Sequence, residues 1–156
     1  MSIDDIVDET FGGGEPNTGV PTFASNPKAE TTNIYLAVSR QHFHFGVHAP
    51  SDARHLDPRE KRFRFRAMRE ELEEYEEAET LEEELDALVD LVVFALGTAY
   101  LHGFHRFNTA LMRVVEANKK KVVGPTARGA KYGDLDLQKP ADWKPADLSD
   151  LVKGGR

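Results

Sequence analysis

The chain has 156 residues and a formal net charge of −7, a size that suits one domain with its own core and is small for two. It contains no cysteine, which excludes both a disulfide framework and a thiolate metal site. No apolar run reaches the length of a membrane span. Residues 1–5 include two aspartates and lack an apolar core, so they do not resemble a signal peptide. The cytoplasm is therefore the expected compartment.

Three regions are predicted along the chain. Residues 1–29 contain Gly12-Gly13-Gly14 and few periodic apolar side chains, which predicts a mobile or loosely packed N-terminal arm. Residues 30–124 have helical patterns and form the predicted core, and residues 125–156 form an irregular tail. The first helix is predicted from near Ile34 to about Phe45, with capping residues at 31–33. The alternation of polar and apolar residues over 42–45 is equally compatible with a short extended piece.

The second and third helices have clear start signals. Asp57 caps the second helix and Pro58 occupies its first turn, and the helix continues to about Glu79. Its apolar positions step by 3, 4 and 3, which predicts a packing stripe of Phe65, Met68, Leu72 and Tyr75. Thr80 and Glu83 form a capping box for the third helix. That helix is predicted to end at Gly103 and, being apolar nearly all round after Asp90, to be the most buried element. Gly97 within it predicts a close backbone approach by a neighbouring helix.

A fourth helix is predicted from about Arg106 to Val122, ended by Gly124-Pro125. Three of its apolar residues are expected to face inward, namely Leu111, Val114 and Val115. The tail is too rich in glycine and proline for another long helix, so we expect it to wrap over the helices or a partner subunit. Trp143 either pins this tail or stacks on a base. The predicted fold is all-α with four helices.

Acidic residues are concentrated at the junction of the second and third helices. Between Glu70 and Asp90, 12 of 21 positions are acidic and none is basic, and the rest of the chain sums to +5. Glu71 and Glu74 share one helix face, as do Asp86 and Asp90. If the two helices pack antiparallel, four carboxylates converge and need cations between them, for which Mg²⁺ or Mn²⁺ is suited. Asp90 lies in an apolar run, where an unpartnered carboxylate is costly.

These acids also carry a resemblance. The string Glu70-Glu71-Leu72-Glu73-Glu74, followed by Asp90-Leu91-Val92, resembles the E-E-x-x-E and E-x-x-D signature of the all-α nucleoside triphosphate pyrophosphohydrolases. That group includes MazG, the all-α dUTP hydrolases and the phosphoribosyl-ATP pyrophosphohydrolases. Residues 86–99, 116–122 and 139–143 look like the short MazG-like proteins of phages. The resemblance covers roughly residues 33–150 and implies a metal-dependent enzyme that forms homodimers or homotetramers.

The resemblance assigns roles by position. Glu71 and Glu74 match metal-binding glutamates and Asp90 the final aspartate, but the acid expected three residues before Asp90 falls on Ala87. Asp86 takes its place in our metal set, with Glu83 as the alternative. Glu70 or Glu74 is the candidate acceptor of a proton from water, so the catalytic set is Glu70, Glu71 and Glu74. The candidate substrate-binding residues are Asn118, Lys121 and Arg66.

The interpretation is a Mg²⁺-dependent (or Mn²⁺-dependent) hydrolase that converts a (deoxy)nucleoside triphosphate and water to the monophosphate and pyrophosphate. Guanine substrates, dGTP or GTP, are favoured because some phage relatives are associated with removing guanine deoxynucleotides. The alternatives are a catalytically degenerate helical binding module, indicated by Ala87, or another substrate (dUTP, dCTP or phosphoribosyl-ATP). Neither membrane attachment nor direct nucleic-acid binding is expected, and a phage-encoded protein would act in the host cytoplasm.

Overall fold

The computed structural model describes residues 33–125 and 135–153, so the predicted arm over residues 1–29 lies outside the described residues. Four α-helices are described: α1 (Ile34–His44), α2 (Pro58–Glu77), α3 (Leu81–Leu101) and α4 (Phe107–Asn118). Two short strands, β1 (Val122–Pro125) and β2 (Leu135–Gln138), pair antiparallel with Val122 opposite Gln138. A 3-10 turn at Ser149–Leu151 follows. The predicted four-helix, mainly α-helical fold is confirmed.

The first three helices begin where the caps predict. The Asn33 side chain accepts a hydrogen bond from the backbone N–H of Leu36. Asp57 caps α2 by accepting from two backbone N–H groups, and Pro58 is the first helical residue. Thr80 and Glu83 form the complete capping box of α3. These contacts satisfy N–H groups that have no partner within the helix, so they place the helix starts from local sequence alone.

Helices α2 and α3 form an antiparallel hairpin, and they pack against each other more extensively than any other described pair of elements. The face of α2 turned to α3 carries Arg64, Ala67 and Glu71, which are its buried residues. The predicted packing stripe is wrong, because three of its members (Phe65, Leu72 and Tyr75) are exposed. They lie on a neighbouring flank of the same helix, and no described element covers that flank.

The hydrophobic core lies where α1 packs on the carboxyl-terminal half of α3. It is built from Tyr35, Val38, Leu96, Ala99 and Tyr100. The Tyr35 ring stacks on Phe107 at the start of α4, with ring centroids 5.6 Å apart. The part of α3 up to Val92 is different, because it exposes Leu81, Leu85, Leu88, Val89 and Val92. The prediction that the third helix is the most buried element is confirmed, because it has more buried residues than any other described helix, and four of its five lie in its second half.

Gly97 in α3 faces side chains rather than the backbone of a neighbouring helix. A Cβ atom there would lie 2.6 Å from Cε1 of His42 and 2.9 Å from Nη2 of Arg64. The predicted close approach of a backbone is wrong, because the groups nearest to Gly97 are an imidazole from α1 and a guanidinium from α2. Both side chains reach the surface of α3 at this one point.

Helix α4 differs from the prediction in two respects, whereas the tail contacts the helices as expected. The helix ends at Asn118 rather than Val122, because the chain then enters β1. Leu111, Val114 and Val115 are exposed rather than inward-facing. The tail does wrap over the helices as predicted: the Trp143 indole N–H donates to the Ala117 carbonyl at 2.8 Å. Within the described ranges, no helix is both long and apolar enough to cross a membrane.

Candidate active site

A buried carboxylate lies in the seam between α2 and α3. Glu71 is 8% exposed, and its Oε2 atom has no hydrogen-bond partner among the described residues. The helical period explains its burial, because Glu71 is seven residues after Arg64 and four after Ala67, on the face that meets α3. A buried carboxylate oxygen without a partner is costly. This atom therefore indicates a missing partner.

Other acids surround Glu71. Burial raises the pKa of the Glu71 carboxyl group, and four neighbouring carboxylates add to the rise, those of Glu74, Asp90, Glu70 and Asp86 in decreasing order. Carboxylates of both helices therefore lie close enough to Glu71 to disfavour its charged form. The antiparallel hairpin places the acidic faces of α2 and α3 next to each other. Positive charge near these carboxylates would reduce the electrostatic repulsion among them. We refer to Glu71, Glu74, Asp86 and Asp90 as the acid cluster.

The structure corrects the expected burial of Asp90. Its side chain is exposed, as are its apolar neighbours Val89 and Val92. The reason is that α2 covers only one side of this part of α3, and the opposite side has no partner among the described elements. The buried acid is Glu71, in a segment whose high charge density gave no sign of burial.

The structure also bears on the choice between Asp86 and Glu83. The Oε2 atom of Glu83 accepts hydrogen bonds from the backbone N–H groups of Glu79 and Thr80, at 2.9 and 3.0 Å. These bonds hold the pKa of Glu83 below its usual value. Asp86 is exposed and lines a cavity of about 390 Å³ together with Glu74. Glu83 lines the same cavity, so the two acids differ in their hydrogen bonds and not in their access to it. Glu83 is committed to its cap, whereas Asp86 is free to turn toward the cluster.

Comparison with known proteins places this arrangement in a family. The family model for phosphoribosyl-ATP pyrophosphohydrolase matches residues 38–118, more than half of the chain. The chain belongs to this family. The match runs from α1 to the last residue of α4 and includes both acidic segments. No curated protein sequence matches the chain significantly. Membership of the phosphoribosyl-ATP pyrophosphohydrolase family indicates a nucleotide pyrophosphohydrolase.

The acid cluster has the donor chemistry for a hard divalent cation. Carboxylate oxygens are the ligands that Mg²⁺ and Mn²⁺ prefer, and the partnerless Oε2 of Glu71 is an available one. In the described ranges, no three histidine, aspartate or glutamate side chains are already arranged as a metal site. Glu74, Asp86 and Asp90 are exposed, so their side chains can rotate toward Glu71. The residues fit such an ion by donor type and by the unsatisfied oxygen.

The predicted substrate-binding residues of this pyrophosphohydrolase lie outside the cluster. Asn118 is the last residue of α4, and Lys121 places its ammonium group 5.6 Å from the centroid of the Trp143 ring. Lys121 therefore contacts the tail, whereas the carbonyl of Asn118 accepts a hydrogen bond from the backbone N–H of Lys121. Arg66 is exposed, and because it is two residues from Arg64 it lies on the side of α2 turned away from α3. Arg66 therefore does not share the seam with Glu71.

Sequence reasoning missed Arg64, the cation that does share the seam. Arg64 is 8% exposed, and its guanidinium contacts α3 through the carbonyl of Phe94 and the hydroxyl of Thr98. Arg64 is one of several arginines and lysines in residues 59–69, so its residue type alone did not distinguish it. The available signal was its spacing, since Arg64, Ala67 and Glu71 repeat at the helical period.

Proposed function

We propose that this protein is a Mg²⁺-dependent pyrophosphohydrolase of (deoxy)nucleoside triphosphates, with Mn²⁺ able to replace Mg²⁺. The observation that carries the proposal is the buried, partnerless Glu71 carboxylate with Glu74, Asp86 and Asp90 around it, in a chain of a pyrophosphohydrolase family. Glu71, Glu74, Asp86 and Asp90 would hold the cation. When bound, it supplies positive charge that neutralises carboxylate and phosphate oxygens and makes a nearby water more acidic.

The chain's own residues then have distinct tasks. A water oxygen attacks the α-phosphorus, the bond from that phosphorus to the bridging oxygen breaks, and pyrophosphate leaves. Glu70 or Glu74 accepts the proton of the water; both are exposed carboxylates beside Glu71. Asn118 offers an amide for the sugar or base, and Lys121 and Arg66 offer cations for phosphate oxygens. These three would have to reach the substrate from outside the acid cluster.

The favoured substrates are dGTP and GTP. A second candidate, phosphoribosyl-ATP, is favoured by the description of the matching family, and dUTP and dCTP are further alternatives. The non-enzymatic alternative is a helical binding module with a degenerate site, for which Ala87 at the position of an expected acid is the argument. That module would neither hydrolyse a nucleotide nor be stabilised by Mg²⁺.

We also propose that the protein works as a homodimer or homotetramer. Apolar side chains are exposed on the flank of α2, on the part of α3 up to Val92 and on α4: Phe65, Leu72, Tyr75, Leu81, Leu85, Leu88, Val89, Val92, Leu111, Met112, Val114 and Val115. Extended apolar patches are rare on monomeric proteins and mark association surfaces. Sedimentation equilibrium tests this: the wild type should exceed the mass of one chain, and Leu88→Lys should shift it toward monomer.

The decisive experiment for the reaction measures products. The protein is incubated with each NTP and dNTP and with phosphoribosyl-ATP, in Mg²⁺ or Mn²⁺, and pyrophosphate, orthophosphate and monophosphate are quantified. Pyrophosphate and monophosphate are expected in equal amounts. Glu74→Gln and Asp90→Asn should each abolish turnover with helicity intact, while Glu76→Gln, an exposed acid outside the cluster, serves as the matched control. Release of orthophosphate alone, or no turnover with any nucleotide, refutes the proposal.

A further inference from the structure

A second cavity lies along the α2–α3 seam, on the side of α1. Its volume is about 330 Å³, within the range of small-molecule sites. Three helices and the segment after α1 contribute to it. We call it the Arg64 cavity, and it is lined by Gln41, His42, Phe45, Val47, Arg64, Val93 and Phe94. None of these residues belongs to the acid cluster.

Arg64 has more hydrogen-bond donors than described partners. Its Nε donates to the Thr98 hydroxyl at 2.9 Å and its Nη2 to the Phe94 carbonyl at 2.6 Å, while the guanidinium carbon lies 4.9 Å from the centroid of the Phe94 ring. A guanidinium has five N–H groups, so three remain. No ion pair in the described ranges includes Arg64. This buried cation therefore offers donors to a ligand in the cavity.

The other lining groups define the kind of ligand. The Nδ1 atom of His42 lies 3.0 Å from the Val38 carbonyl oxygen, to which it donates, and the Cε1–Nε2 edge of the ring lies over Gly97. Gln41 is exposed, and its amide offers both a donor and an acceptor. Phe45, Phe94 and the two valines form apolar walls. Apolar walls that include two aromatic rings, with one cation and one amide among them, suit a nucleobase better than a phosphate, which needs several cations.

The cavity lies at a suitable distance from the acid cluster. Arg64 and Glu71 are on the same face of α2 and seven residues apart, which is about 10 Å along the helix axis. On α3, Phe94 lies one turn after Asp90. The two sites are thus consecutive along the seam, and a nucleotide with its phosphates at the acid cluster extends its base toward the Arg64 cavity.

We propose that the Arg64 cavity binds the base of the nucleotide substrate and that Arg64 selects guanine, an inference that rests on the proposed function. Guanine presents two adjacent acceptors, O6 and N7, to a guanidinium, whereas adenine has a donor at N6 in place of O6. Phe45, which is 72% exposed, covers the open side of the base. Gln41 contacts the base edge.

The test uses Arg64→Lys and Phe45→Ala, with kcat/KM measured for dGTP and dATP and with dGMP and dAMP binding measured by calorimetry. Arg64→Lys removes the two parallel hydrogen bonds to O6 and N7 of guanine. The ratio of kcat/KM for dGTP to that for dATP should therefore fall by roughly 5- to 150-fold. Phe45→Ala should raise the Kd of dGMP by roughly 5- to 150-fold through lost stacking. Phe43→Ala is the matched control, since Phe43 is also exposed on this segment but contacts His48.

Folding of both variants is checked by circular dichroism. If Arg64→Lys does not fold, Phe45→Ala still tests the proposal, because Phe45 is exposed and its replacement should leave the fold intact. Unchanged base preference and dGMP affinity in the folded variants overturn the cavity assignment, even where turnover supports the proposed function. If no nucleotide is turned over but dGMP binds, and Phe45→Ala weakens that binding, the proposed function is refuted and the cavity assignment is supported. Absence of both turnover and dGMP binding overturns both.

Discussion

Replacing Gly97 with alanine tests the packing of α1, α2 and α3 at a single point. The new Cβ would lie 2.6 and 2.7 Å from Cε1 and Nε2 of His42 and 2.9 Å from Nη2 of Arg64. These separations are well below carbon contact distances, so a side chain has to move. The His42 ring is held by the Val38 carbonyl and by the Tyr100 ring, whose centroid lies 5.3 Å away. The ring therefore cannot move without losing contacts.

Two opposing terms set the magnitude. Overpacking of this kind costs about 1–3 kcal/mol, and displacement of Arg64 would add the loss of its bond to the Phe94 carbonyl. Alanine is favoured over glycine inside a helix by about 1 kcal/mol. We therefore expect Gly97→Ala to lower the free energy of unfolding by about 1–2 kcal/mol. Urea denaturation followed by circular dichroism, at one fixed protein concentration, measures the change.

A double-mutant cycle isolates the cause. In a His42→Ala background the closest clash is absent, so Gly97→Ala should cost at least about 1 kcal/mol less than in the wild type. The reasoning is refuted if Gly97→Ala stabilises the wild-type protein, or if its effect is equal in both backgrounds. Either result would mean that the His42 ring does not occupy the space over Gly97.

Three further predictions concern the acid cluster, a helix cap and the tail. Because the pKa of Glu71 is raised, it holds its proton more tightly folded than unfolded, and the stability of the metal-free protein should fall as pH rises through that pKa. Glu71→Gln should remove this fall in EDTA and lower kcat/KM at least about 100-fold in Mg²⁺. Thr80→Ala should cost about 1 kcal/mol in urea denaturation through loss of the cap. Trp143→Phe removes the bond to the Ala117 carbonyl and should cost about 1 kcal/mol, with faster amide exchange in the tail.

Each has its own refuting result. An EDTA pH–stability curve that is the same for wild type and Glu71→Gln would mean that Glu71 is not the coupled carboxyl group. Thr109→Ala changes an exposed threonine inside α4 and should stay within about 0.5 kcal/mol, so an equal effect at Thr80 would argue against capping. Unaltered amide exchange around residues 139–153 in Trp143→Phe would show that the indole does not hold the tail.

The sequence by itself determined the features that depend on near neighbours in the chain. The caps at Asn33, Asp57 and Thr80 form within three residues, so their residue types suffice to place the helix starts. The pairing of acids at three- and four-residue spacing was equally readable, and it placed the candidate site on two consecutive helices. The glycine and proline content of residues 125–156 predicted no further long helix there, and none is present in the described residues 135–153, whereas the pairing of β1 with β2 was not predicted.

Only the tertiary structure decided which helix faces are buried. An apolar stripe indicates some partner, but it does not say whether the partner is in the same chain, and Phe65, Leu72 and Tyr75 have none in the described protomer. The seam instead buries Arg64 and Glu71, charged residues that a search for apolar periodicity passes over. The buried position of Arg64 depends on a backbone carbonyl and a hydroxyl group of α3, 30 and 34 residues away in the chain. Such contacts exist only after the hairpin has formed, and they create both the partnerless carboxylate and the cavity beside it.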